Sequence, residues 1–352
     1  MLGRWILRLR SQKHISRQQR PELAAPVLLK APAVAIESDA RLVSDALGDP
    51  AFAEIEAYPH TGAFGRAYHS AIHGNLDRSF AVCAKGDIAL VCLCAPVKGK
   101  LGFYGMPVRL IARRCLDSNS HGIAVRLAYS HLHDIARTQG ASEVVIRENS
   151  TAMLSPIGKE ALARGGAATV ALMARVDLSL GLPAWRKALR RSFRSLLNWG
   201  RNNLSVQFIN NANADRSLFN QYRQFHAEVA GRVTRSGASW DVMYDWITRG
   251  KGELILGFLD AKLVTGTLLI DGTRTCIYAS GVNDRSLFDK PLAHYPLWLA
   301  FERAQARGMT TFELGEIPFH GAVSEKEYKI GYFKRGFATN IDIHLDWYWS
   351  PA

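Results

Sequence analysis

The stretch from Lys251 to Phe337 constrains the fold of this chain most tightly. Two short apolar runs, Gly252–Leu259 and Lys262–Ile270, are separated only by Asp260-Ala261, and a third, Thr273–Ser280, follows the Asp271-Gly272 pair. Short apolar runs joined by tight turn signals predict an antiparallel meander of three strands. Helical spacing follows over Tyr295–Arg307, where Leu297, Ala300, Phe301 and Ala304 share one apolar face and Gly308 ends the run. Pro296 is tolerated there because first-turn amides have no intrahelical partner. A strand at Thr310–Gly315 comes next, then the basic, aromatic segment EKEYKIGYFKRGF from Glu325 to Phe337.

The first half repeats this order without repeating its residues. A strand at Ala31–Ile36 precedes short helices over Asp39–Leu47, Ala51–Ala57 and Ala63–Ile72. Ser79–Ala84, Ile88–Pro96 and Lys100–Pro107 read as a second meander, with a turn at Lys85-Gly86-Asp87. Helices at Gly122–Thr138 and Ser155–Arg164 and strands at Ser142–Arg147 and Ala168–Leu178 complete it. Beyond the join, helices are expected at Pro183–Trp199, Asp215–Ala230 and Ser239–Arg249, and strands at Leu204–Ile209 and Ile341–Trp349. The organisation predicted is a basic tail over 1–30, a first α/β domain over 31–180 and a second, similar one over 181–352.

The 352 residues are 48% apolar and 21% charged, as in a soluble globular chain. No apolar run reaches the roughly 18 residues needed to span a bilayer. The formal net charge is +13, which points to an anionic partner. Tail arginines and lysine (Arg4, Arg8, Arg10, Lys13, Arg17, Arg20) face no acid, and Leu2, Trp5, Ile6 and Leu9 would let the tail lie on an anionic membrane as a peripheral contact. A transit-like or simply unstructured tail is the alternative. Five irregularly spaced cysteines read as reduced thiols, which suits the cytoplasm or the inner face of its membrane.

Four segments in order carry a family resemblance: VDLSLGLPAWRKALRRSFRSLLNWGRNNLSV; Phe225-His226-Ala227-Glu228 with Gly231-Arg232-Val233-Thr234; AHYPLWLAFERAQARGMTTFELGE; and KIGYFKRGF. In this order they resemble the FemAB-like and BioF2-like acyltransferases of the GNAT superfamily, relatives of the aminoacyltransferases that build peptidoglycan bridges. The resemblance implies two tandem GNAT-like domains with mixed, largely antiparallel sheets. It implies direct transfer of an acyl or aminoacyl group, without a covalent enzyme intermediate, onto an amine of a cell-envelope or polysaccharide precursor. The donor would be acyl-CoA or aminoacyl-tRNA, and no cofactor would be tightly bound. The glycine-rich phosphate loop of ordinary GNAT enzymes is missing; Asp289-Lys290-Pro291-Leu292-Ala293-His294 stands in its place. A non-catalytic GNAT-like module that binds tRNA, a nucleotide-sugar or a membrane surface is the rival reading.

Acyl transfer to an amine needs a neutral nitrogen, a positioned carbonyl and a stabilised oxyanion. Glu313 and Glu316, at the end of the FELGE strand, are candidates for handling the amine and its proton. Strand alternation sets Phe312 and Leu314 opposite Glu313, and Gly315 lets the backbone turn before Glu316. Tyr328 is a third catalytic candidate, a hydroxyl donor. Lys334 and Arg335, set between Phe333 and Phe337, would contact substrate phosphate, as the resemblance implies. Arg190 and Arg194 fall with Arg186 on one stripe of the Pro183–Trp199 helix, either a phosphate-facing ridge or a solvated face. Lys290 and His294 lie at the anion-favouring start of the next helix. Tyr278 and Ser280 end the third meander strand, and Arg232 and His226 are acceptor-contact candidates. His69 and His73 have helical metal-ligand spacing but lack a third ligand, so no metal site is expected.

Overall fold

A computed structural model describes residues 34–37, 40–84 and 87–351. The basic tail, most of the Lys85-Gly86-Asp87 turn and the first residues of the expected opening strand lie outside the described residues.

The first half begins with β1 (Val34–Glu37), α1 (Ala40–Gly48), α2 (Glu54–Ala57) and α3 (Ala63–His73). Strands β2 (Phe80–Ala84), β3 (Asp87–Leu93), β4 (Ala95–Val97), β5 (Lys100–Gly102) and β6 (Arg109–Ala112) follow, then α4 (Ser118–Thr138), β7 (Glu143–Asn149), α5 (Pro156–Ala163) and β8 (Ala167–Asp177). The second half contains α6 (Gly181–Ala188), α7 (Phe193–Asn203), β9 (Ser205–Ile209), α8 (Arg216–Ala230) and α9 (Gly237–Thr248). The meander is β10 (Gly252–Leu259), β11 (Lys262–Asp271) and β12 (Thr275–Asn283), followed by α10 (His294–Ala306), β13 (Thr311–Ile317), α11 (Glu325–Arg335) and β14 (Asn340–Trp349).

Two sheets result. β1-β2-β3-β6 form a small one, and a ten-stranded sheet runs β4-β5-β7-β14-β8-β13-β12-β11-β10-β9. Among the strand pairs of the described residues, β12–β13 and β5–β7 are parallel and the rest antiparallel, so the large sheet is mixed and largely antiparallel. The last strand does not stay with its own half. β14 is inserted between β7 and β8, and β8 in turn pairs with β13, so one hydrogen-bonded sheet runs through both halves.

The second meander forms as predicted because β10 and β11 are buried almost end to end. α10 packs on one of its faces through Leu297, Ala300, Phe301 and Ala304; α8 and α9 cover the other through Phe219, Tyr222, Trp240 and Met243. Runs covered on both sides are continuously apolar. Phe64 of α3 joins this second layer, and α3 lies against α9, which ties the halves together.

Two expectations need correction. The first-half meander breaks at Cys94: β3 stays in the small sheet, while β4 and β5 join the large one, and β6 takes the place beside β3. The chain reverses through Tyr104 and Gly105, both at positive φ, with the Met106 carbonyl pressed so closely on Gly102 that a Cβ there would clash. The expected helix Pro183–Trp199 is two helices. Leu189 leaves helical geometry to enter the core, and the next amide, Arg190 N–H, donates to the Gly336 carbonyl at 2.9 Å instead of continuing the helix. The Lys-Arg segment at the end of α11 is helical, opened by a reciprocal Ser324–Glu327 capping box. Among the described residues no helix is long and apolar enough to cross a membrane.

Candidate active site

The large sheet has a polar face at its centre, where a core would be apolar. On β14, Ile341, Ile343, Leu345 and Trp347 alternate with Asp342, His344 and Asp346. Register places Asp346 opposite Arg147 of β7 and Asp342 opposite Met173 of β8; Arg175 of β8 is opposite Glu313 of β13. These polar residues therefore share one face.

A bulge brings Glu316 to the same face. Glu313 pairs with Arg175 and Glu316 with Met173, although three residues separate the two glutamates and two separate their partners. The extra residue restores the face that alternation would have reversed. Leu314 is that unpaired residue, and Gly315 after it permits the bulge at φ +93°, a conformation costly for any residue with a Cβ. Phe312 and Leu314 point into the opposite, apolar layer, as alternation predicted.

Over this face lies a cavity of about 470 Å³, within the usual range for ligand sites. Its walls come from both halves: Tyr58 and His60 after α2, Arg109 of β6, Arg147, Arg175, Glu313, Glu316 and His344. Glu313, 4% exposed, accepts from the Tyr58 hydroxyl at 2.6 Å and from Arg175 at 3.2 Å. Burial, with Glu313 adding to it, pushes the Tyr58 phenol well above its ordinary range, so it remains a donor. Arg147 grips Asp346 with two bonds of 2.7 Å and reaches Glu316 at 3.5 Å. Glu316 is otherwise open, its side chain 56% exposed.

His344 is 4% exposed, and neither ring nitrogen has a hydrogen-bond partner in the structure. Burial, reinforced by Arg109, Arg147 and Arg175, lowers its pKa to about 4. Burial also lowers that of His60. Both imidazoles are neutral at pH 7 and able to accept a proton or a hydrogen bond.

These shifts fix the sign of a pH dependence. His69, a third buried imidazole, is held at about 3 by burial and by its neighbours His60 and His73. A depressed histidine contributes stability that is fully present above its unfolded pKa near 6.5 and is lost as pH falls towards the folded value. At about 1.4 kcal/mol per unit, His69 and His344 together account for several kcal/mol. Urea unfolding at pH 7.5, 6 and 5 is expected to show the midpoint falling with pH, and His344→Asn to flatten the fall. A midpoint that rises on acidification would contradict this.

Beyond Ile277 and Glu313 the parallel β12–β13 pairing stops. Tyr278 and Ser280 lie just past this split on β12, and Gly315 and Glu316 past it on β13. Lys334, from α11, places its Nζ 3.4 Å from the Glu316 carbonyl. Burial lowers its pKa, with Glu313 and Glu316 opposing the shift. The structure thus gathers Glu313, Glu316 and Lys334 beside the split, while the side chains of Tyr278 and Ser280 turn towards Tyr222.

The remaining candidates lie elsewhere. Tyr328 packs against His320. Arg190 stacks on Tyr332 at 3.6 Å in the link between α6 and α7, and Arg335 lies over the same ring. Arg194 donates to the Arg186 carbonyl, so the single arginine stripe does not exist: the helix break removes it. Lys290 pairs with Asp289. His294 is enclosed by Phe193, Phe333 and Phe337 and serves the core rather than an anion. His226 contacts Thr234 and Arg235 in a separate hollow on α8, and Arg232 is exposed beside it. Among the described residues no group of three His, Cys, Asp or Glu side chains is arranged to hold a metal. Sequence reasoning missed Tyr58, His60, Arg109, Arg147, Arg175 and His344.

No protein-family model matches this sequence, and no curated protein matches it. Solved structures do. FemX shares 13% identity and a TM-score of 0.62, over 89% of this chain and 96% of that one. A tandem GNAT protein from the clavulanic acid biosynthesis pathway gives 11% and 0.57, over 91% and 99%. L-PGS from Bacillus licheniformis gives 15% and 0.55, over 88% and 91%. The fold is the one these structures share, with two GNAT-like domains in tandem.

Proposed function

We propose that this protein is an N-acyl or aminoacyl transferase that acts on an amine delivered into the cavity between its halves. The observation that carries this reading is that Glu313 and Glu316 line that cavity next to the β12–β13 split, with the Lys334 ammonium beside the Glu316 carbonyl. The donor, an acyl-CoA or aminoacyl-tRNA, would enter the split with its carbonyl towards the Lys334 ammonium. The amine nitrogen would attack the carbonyl carbon, and the oxyanion would form beside Lys334. Collapse of that adduct expels the thiolate or the tRNA hydroxyl, leaving an amide. The proton lost by the nitrogen passes to Glu316 or to the neutral His344. Glu313, tied to Tyr58 and Arg175, is a fixed charge that orients the amine. Residues 31–180 and 181–352 remain the proposed domain division, after a tail over 1–30, with β14 inserted between β7 and β8. An amine of an envelope or polysaccharide precursor is the proposed acceptor, supported by the fold shared with FemX.

The test is mass spectrometry for amide product after incubation with acyl-CoAs or charged tRNA and a panel of amines. Glu316→Gln is expected to lower turnover by about a hundredfold to ten-thousandfold, the usual contribution of a proton-transfer group. Ligand binding with no amide formed from any pair would favour a binding module instead.

A further inference from the structure

Four arginines line the cavity, and their charges are unequally matched: Arg274 is paired with Glu54 at its edge. Arg147 is closed by the two-pronged contact with Asp346, and Arg175 is bound to Glu313 at 3.2 Å and Asp342 at 2.6 Å. The side chain of Arg109 has no hydrogen bond or ion pair among the described residues, yet it lines the same cavity. Burial lowers its pKa, with Arg147 and Arg175 adding to the effect, and Tyr58 and Glu313 only partly oppose it. A desolvated cation without a counter-ion destabilises a fold. Half-buried in the cavity and with no ion pair of its own, Arg109 is placed to meet an anionic ligand.

The open cation lies close to the open carboxylate. Val108 N–H bonds the Val145 carbonyl at 2.7 Å, and the Val108 carbonyl accepts from Arg147 N–H at 3.1 Å, so Arg109 springs from backbone beside Arg147. Arg147 itself reaches Glu316 at 3.5 Å. The cavity therefore holds an arginine without an anion and a carboxylate open to an amine. His60 and His344 stand in the same cavity without charge.

We propose that the acceptor carries an anionic group next to its reacting amine, as an amino acid or an aminoalkyl phosphate does, and that Arg109 holds that anion while Glu316 faces the amine. The proposal rests on the acyl-transfer reading for the word acceptor. The planar fork of arginine suits carboxylate and phosphate alike, by two parallel hydrogen bonds.

Titration calorimetry on the full chain tests it, with glycine, β-alanine and phosphoethanolamine set against ethylamine and ethanolamine. The amines bearing an anion are expected to bind at least about tenfold more tightly, and Arg109→Met to bring the ratio close to one. Carboxylate against phosphate affinity identifies which anion fits. Arg109→Met is also expected to melt no lower than the parent, because it removes an unmatched charge; Arg109→Gln provides a second variant of similar effect. Equal affinity for both sets of amines, no binding by any of them, or a clearly lower melting temperature in both variants overturns the proposal. Amide formed equally well from both sets overturns it while leaving acyl transfer standing. Selective binding with no amide from any donor upholds the anion site and overturns the transfer reading.

Discussion

Gly315→Val is expected to reduce turnover by about a hundredfold or more while the chain keeps its fold, because displacement of a reacting group by about 1 Å has that consequence. Two causes act together. A β-branched residue at φ +93° is strained by roughly 1–3 kcal/mol, and relief of the strain flattens the bulge. A flat strand would turn Glu316 away from the face it shares with Glu313. The new Cβ would also lie 2.9 Å from Lys334 Nζ, so the ammonium must move too. Both effects fall on residues proposed to act in the reaction, and the apolar side of β13 is untouched. Circular dichroism and kcat in any donor–amine pair that supports transfer check this. A variant with parental kcat would show that the bulge does not position the chemistry.

Glu253→Ala is expected to destabilise the protein by about 3–5 kcal/mol, the effect of removing one partner from a buried ionic network. Glu253 is fully buried at the start of β10. It accepts from Arg303 Nε at 2.6 Å, Arg307 Nη1 at 2.8 Å and Asn210 Nδ2 at 3.0 Å. Arg307 retains Asp271, but Arg303 loses its carboxylate, and both arginines project from the C-terminal part of α10. Loss of these contacts frees the end of a helix that packs on β10 and β11. Urea denaturation measures the loss; a midpoint within error of the parent would show that the network contributes nothing net.

The elements that were legible in the sequence are those defined by neighbours. The β10–β12 meander announces itself through two-residue turns between runs that are apolar because both faces are covered. Glu313, between Phe312 and Leu314, could be assigned a face by alternation alone, and Gly315 marked the place where alternation would fail. The cavity was not legible in the same way. Tyr58, Arg109, Arg147, Arg175 and His344 come from separate segments, and no local pattern says that β14 will slide between β7 and β8. One signal was present: Asp342, His344 and Asp346 alternate with Ile341, Ile343 and Leu345, the pattern of a strand whose second face is polar within the fold. The Pro183–Trp199 helix failed for the opposite reason. Its apolar spacing continues across the break at Leu189, so periodicity registers the face and not the interruption.

The insertion of β14 sets a condition on the timing of activity. Arg147 and Arg175 are translated long before the carboxylates of Asp346 and Asp342 that hold them, and the imidazole of His344 arrives with those carboxylates. A growing polypeptide on the ribosome could fold its second-half meander and still have a gap between β7 and β8. Until residue 349 has emerged, the central seam is unzipped and the guanidinium groups repel one another across it. On the acyl-transfer reading, the site is complete only once that strand has been made.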